Sequence, residues 1–108
     1  MTRVVLSVAA KHDLEEIDNY TIAHFGLRQA ARTREAFGRA FDILANMPLT
    51  GHLWPEVSPP GRPFRFHTVL RRFEVVYEPS DDGIRVARVL HGRRDLGTTL
   101  ETDSGDVD

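Results

Sequence analysis

The chain contains no cysteine, which excludes a disulfide framework, a thiolate metal site and thiol nucleophiles together. No apolar run approaches the roughly 20 residues needed to cross a bilayer. The stretch from Met1 to Leu6 is too short an apolar opening for a secretory leader, so the expected location is the cytoplasm, away from membranes. The five histidines (12, 24, 52, 67 and 91) show neither His-x-His nor His-x-x-x-His spacing, and no carboxylate pair falls in a metal-binding pattern. Phosphate-cradling glycine loops of either common kind are missing too, so no metal and no cofactor is expected. Lysine is nearly absent: Lys11 is the exception among 14 basic residues, the other 13 being arginines. Arginine suits planar, bidentate contact with carboxylate or phosphate, although a genome rich in arginine codons produces the same bias.

What is present is ordinary for a globular protein: 108 residues, 41% hydrophobic and 28% charged, enough for one domain with one core. The formal charge of −2 conceals an asymmetry. Four of the 16 acidic residues (Glu101, Asp103, Asp106 and Asp108) crowd the last eight positions, leaving 12 acidic against 14 basic in the body. The expected organisation is a single domain over residues 1–100. An acidic tail over 101–108 has too little apolar surface to offset its ordering entropy.

Periodicity places the elements. Arg3 to Ser7 reads as a short strand of β-branched residues, and Ser7 is a suitable helix cap. Ala10, Leu14, Ile17 and Thr21 then recur at helical spacing, with Asp13, Glu15, Glu16 and Asp18 toward the favourable N-terminal half. Gly26 is placed to end this helix in a left-handed conformation. A second apolar stripe follows at once (Ala30, Phe37, Ala40, Phe41, Leu44, Met47), and Pro48 stops it. Such a short link predicts an antiparallel helical hairpin that needs a sheet to cover. Pro48 to Pro63 holds five prolines and two glycines and reads as a loop. Three strands follow: Phe64 to Thr68, Phe73 to Tyr77 and Ile84 to Leu90, the last two joined by the turn Pro79-Ser80-Asp81-Asp82-Gly83. A helical turn is expected over Asp95 to Leu100. The fold class is α+β: an N-terminal strand and a helical hairpin packed on a mainly antiparallel sheet completed by a three-stranded meander.

Several residues in this order resemble a known family. Leu6-Ser7, Ala10, Asp13-Leu14 and Ile17 are similar to the opening of ParE-type toxins. Met47-Pro48, Gly51 and Pro55-Glu56 resemble their proline–glycine loop. Val89-Leu90-His91-Gly92-Arg93-Arg94-Asp95 resembles their final strand ending. The chain is identified on these residues as a member of the RelE/ParE toxin superfamily, closest to the ParE-type toxins of type II toxin–antitoxin (plasmid stabilisation-like) systems, over about residues 4 to 96. The resemblance implies a cytosolic toxin neutralised by a cognate antitoxin and acting on DNA gyrase by binding, with no catalysis of its own. The RelE-type relatives instead cut mRNA on the ribosome.

Three sets of residues are candidates for function. His91, Arg93 and Arg94 form the densest polar cluster, at a strand end, and suit contact with the target; alternatively Asp95 pairs with an arginine and the group is structural. Tyr20, Phe25 and Trp54 are either core or the apolar groove that takes the antitoxin. For the endoribonuclease alternative, metal-free cleavage needs a base, an acid and cations on the phosphate. Glu56, His91 and Arg65 with Arg71 or Arg72 are nominal counterparts. Compared with YoeB-type nucleases, Gly92 replaces a tyrosine after the histidine and Glu74 replaces a catalytic arginine. A carboxylate at 74 would repel the scissile phosphate.

Overall fold

The computed structural model describes residues 3–53, 55, 58, 60, 61 and 63–92. Strand β1 (Arg3–Leu6) leads into helix α1 (Val8–Asn46), followed by β2 (His52–Leu53), β3 (Arg65–Val69), β4 (Phe73–Ser80) and β5 (Gly83–His91). The α+β class is as expected, with the meander formed by β3, β4 and β5. Strand β2 lies within the stretch expected to be all loop. The helical turn expected at 95–100 and the acidic tail lie outside the described residues.

Ser7 turns strand into helix. Its hydroxyl accepts from Ala10 N–H at 2.9 Å and donates to the Ala87 carbonyl at 2.7 Å, so one 1%-exposed oxygen both caps the helix and ties it to β5. The helix does not run straight. Its 39 residues would span about 58 Å, yet the longest dimension of the molecule is 40 Å. The break is Gly26, at φ 89° and ψ 172°, a conformation side chains with a Cβ rarely adopt. The two arms, 8–25 and 27–46, fold back on one another: Arg34 Nε donates to Asp18 Oδ1 at 2.7 Å across 16 positions of sequence. The expected hairpin is therefore present, with its link reduced to one residue.

The sheet order is β1-β5-β4-β3-β2, with β1 parallel to β5 and every other pair antiparallel. Alternation along each strand divides the apolar residues between two faces. Phe73, Val75, Tyr77, Ile84, Val86 and Val89 meet Ala10, Phe37, Ala40, Leu44 and Ala45 of the helix in the main core. On the opposite face Phe64, Phe66 and Val76 form a smaller cluster with Ala87 and Leu90. Met47, expected in the helical apolar stripe, is instead 64% exposed, because the helix ends before its side chain reaches the sheet.

A bulge interrupts the β4–β5 ladder: Val76 pairs with Arg88 but the adjacent Tyr77 pairs with Val86, leaving Ala87 as the extra residue. Beside the bulge, Arg88 reaches the helix. Its guanidinium grips Asp13 through two bonds, Nε to Oδ2 at 2.7 Å and Nη2 to Oδ1 at 2.8 Å, and Val89 N–H donates to the same carboxylate at 2.9 Å. Both side chains are largely buried.

Tyr77 secures the segment after the helix. Its fully buried ring carries a hydroxyl that donates to the Pro48 carbonyl at 2.7 Å and accepts from Gly51 N–H at 2.8 Å. Burial pushes the phenol pKa up, against the opposing Gly51 hydrogen bond and the charge of Arg65. A Cβ on Gly51 would stand 2.6 Å from that hydroxyl, so only glycine permits the approach.

Candidate functional site

A cleft of about 640 Å³ opens where the bend of the helix meets the end of the sheet. Its helical wall is Glu16, Ile17, Tyr20, Thr21, Phe25, Gln29 and Thr33, and its sheet wall is Arg72, Phe73 and His91. Each wall follows from local structure. Tyr20 and Phe25 sit six residues and one residue before the Gly26 break, close to the reversal, and are 55% and 61% exposed. Tyr20 stacks on His24 at 4.1 Å, and the His24 Nδ1–H donates to the Tyr20 carbonyl at 3.0 Å, which holds the ring.

On the sheet side, His91 ends β5 opposite Phe73 at the start of β4, and the two rings lie 5.1 Å apart. Phe73 in turn contacts Phe37 at 5.3 Å and Phe37 contacts Phe41 at 6.1 Å. An aromatic series thus runs from the core to the cleft, with His91 as its solvent end. Arg72 places its guanidinium 5.9 Å from the Phe73 ring centre, within the range of a cation–π contact. Gly92 follows the strand at φ 85°, and its N–H donates to the Arg72 carbonyl at 2.8 Å.

The turn that presents Arg72 is unusual. Leu70 and Arg71 have φ of 55° and 59°, and Arg72 N–H donates to the Val69 carbonyl at 3.2 Å. Positive φ at both central residues is the type I′ pattern, normally filled by Asn-Gly. A side chain held there costs roughly 1–3 kcal/mol.

The cleft joins residues that the sequence assigned to two sites, His91 to the target and Tyr20 with Phe25 to the antitoxin. Arg72, weighed in the sequence for phosphate alone, is the cation beside them. Arg93, Arg94, Asp95, Trp54 and Glu56 lie outside the described residues. Arg65 is elsewhere: it pairs with Tyr77, four residues or about 13 Å along β4 from Phe73. Its Nη1 donates to the carbonyls of Gly51 at 2.8 Å and Leu49 at 3.3 Å. Glu74 occupies the face away from the helix, 4% exposed, and accepts from the Thr68 hydroxyl at 2.9 Å. His67 on β3 has its pKa lowered, first by burial and also by His52, against the opposing charge of Glu74. Among the described residues no group of three or more potential metal ligands converges, and no helix is long and apolar enough to cross a membrane.

A second groove of about 470 Å³ runs between the arms of the helix, with Leu6, Leu14, Ile17, Phe37 and Phe41 inside and Lys11, Glu15, Asp18 and Arg34 among its remaining walls. Sequence pattern alone carries no direct sign of it, since its sides come from positions separated by the reversal at Gly26.

Comparison with known proteins agrees with this architecture. The family profile described as "ParE toxin of type II toxin-antitoxin system, parDE" matches residues 4–96. The chain belongs to the ParE toxin family. A solved structure titled "Chromosomal ParDE TA system from P. aeruginosa" contains a chain that superposes with a TM-score of 0.69 at 19% identity, covering 86% of this chain and 98% of that one. At that identity the likeness concerns the fold. No curated protein matches the sequence.

Proposed function

We propose that this chain is the toxin of a type II toxin–antitoxin pair, that it acts by binding rather than by cutting, and that its target is DNA gyrase. A cognate antitoxin neutralises it in the cytoplasm. The toxin class follows from family membership. The observation that carries the binding reading is that two places a nuclease needs for phosphate are committed to the fold. Arg65 is engaged by the carbonyls of Leu49 and Gly51, and position 74 is a buried glutamate bonded to Thr68. A cation that orders a loop and a carboxylate under a sheet do not stabilise a phosphorane.

In this reading the antitoxin lays an amphipathic segment over the helical hairpin, with Tyr20, Phe25 and Trp54 receiving its apolar anchors. The target meets the cationic end of the sheet at Arg72, His91, Arg93 and Arg94. Rim charges act mainly on recognition of a charged surface, whereas buried anchors set antitoxin affinity. The test is induced expression without antitoxin, following DNA replication, supercoiling and mRNA integrity together. Replication should stop before translation while mRNA stays intact. The variant Arg93→Ala/Arg94→Ala should lose toxicity yet keep its melting temperature and antitoxin binding. Rapid, codon-phased mRNA cuts that disappear in Glu56→Gln or His91→Gln would replace this reading with the endoribonuclease.

A further inference from the structure

Among the described residues, only Leu70 and Arg71 are non-glycine residues at positive φ, and they are adjacent. Asn-Gly would close the same hairpin without that strain. Nor do their side chains serve the core: Leu70 is 44% exposed, and Arg71 and Arg72 are exposed as well. Neither arginine forms an ion pair among the described residues. The result is an apolar side chain followed by two cations at the tip of a stiff hairpin, and its last member, Arg72, also lines the cleft beside His91. Backbone strain that packing does not explain gathers at functional elements.

We propose that the Leu70–Arg72 turn is a contact element for the toxin's target, in which Leu70 enters an apolar pocket on that protein and Arg71 and Arg72 meet carboxylates at its rim. The proposal rests on the binding reading above and extends its surface from His91 onto the neighbouring hairpin. Shape favours the target over the antitoxin. A hairpin tip is convex and requires a concave partner, whereas an antitoxin segment lying in the grooves of the helix is itself the convex member. Chemistry favours protein over nucleic acid. Phosphates would engage the arginines but would leave Leu70 in water, while an acid-rimmed apolar pocket uses all three side chains.

The strain makes the proposal testable in opposite directions at once. The variant Leu70→Asn/Arg71→Gly supplies the residues a type I′ turn prefers, so its melting temperature should rise by about 4 °C or more. Growth arrest on induction should meanwhile weaken at least about tenfold, as for loss of an interface hot spot. Capture by the co-expressed antitoxin should stay at the wild-type level. Leu70→Asp, which keeps both arginines, should weaken growth arrest to a similar degree. A variant that melts higher and arrests growth like wild type overturns the proposal, and so does one whose melting temperature fails to rise. Loss of antitoxin capture would overturn it by assigning the turn to the other partner. Wild-type binding to duplex DNA that vanishes in Leu70→Asn would overturn it in favour of a wedge between bases. A gyrase supercoiling assay with wild-type protein separates this inference from the reading beneath it. Gyrase left untouched by wild type, with growth arrest still dependent on the turn, removes gyrase and keeps the contact element. Gyrase inhibited equally by wild type and variant removes the contact element and keeps gyrase.

Discussion

The two ends of the β4–β5 hairpin partner differ in how their polar groups are spent. At the bulge, Asp13 accepts from Arg88 and from Val89 N–H, and Ser7 donates to the Ala87 carbonyl, in a largely buried setting. At the cleft, Arg72 and His91 stand against aromatic rings with open space beyond. The first arrangement has its partners within the chain, and the second leaves its partners to be supplied. The contrast also explains the family motif. Ser7, Ala10, Asp13, Leu14 and Ile17, which carry the resemblance at the N-terminus, hold helix to sheet, so the motif reports on architecture and only indirectly on activity.

Breaking the bonded end should have the largest effect on stability. Asp13→Ala removes both carboxylate oxygens that accept from the Arg88 guanidinium, and with them the acceptor for Val89 N–H, in a largely buried setting, and should cost about 3 kcal/mol. Urea unfolding of the purified toxin measures it, and a loss below about 1 kcal/mol would mean that water or another acceptor replaces the carboxylate. An intermediate effect is expected at His67. Because its folded pKa is lowered, the unfolded chain binds the proton more readily. Stability is complete above the ordinary histidine pKa of 6.5 and is lost as pH falls from there toward the folded value. Melting temperatures at pH 7.5 and 5.5 should differ more for wild type than for His67→Gln, and equal differences would dismiss this group as a source of pH sensitivity. The smallest effect belongs to the cleft. Phe25→Ser changes a 61% exposed ring and should move stability by no more than about 0.5 kcal/mol while weakening antitoxin capture. A large drop in stability would place Phe25 in the core and erase the distinction between the two ends.

Elements with local chemistry were legible in the sequence. Ser7 announced its cap, Gly26 its reversal, Pro48 the helix end, and alternation at Phe64 and Phe66 the burial of one face. What depended on distant residues was not. The Asp13–Arg88 pair spans 75 positions and lies beside a bulge at Ala87 that no turn residue marks. The two-residue β2 is too short for periodicity and sits among prolines. The turn at Leu70 and Arg71 lacks the glycine or asparagine that signals its type. At the site, His91, Tyr20 and Phe25 were singled out for different roles, and their sharing of one cleft depends on the angle of the helical reversal. Arg72 joined them only because β4 begins one residue later.

The pairing of β1 with β5 has a consequence for synthesis. Residues 3–6 find their partners at 83–86, and the helix is fastened by Ala87 and Arg88, so the earliest part of the chain waits for the latest described strand. While the ribosome is still adding residues at about 5–20 per second, the nascent chain lacks both the closed sheet and the His91 wall of the cleft. The cleft walled by Phe73 and His91 is therefore complete only once β5 has been made.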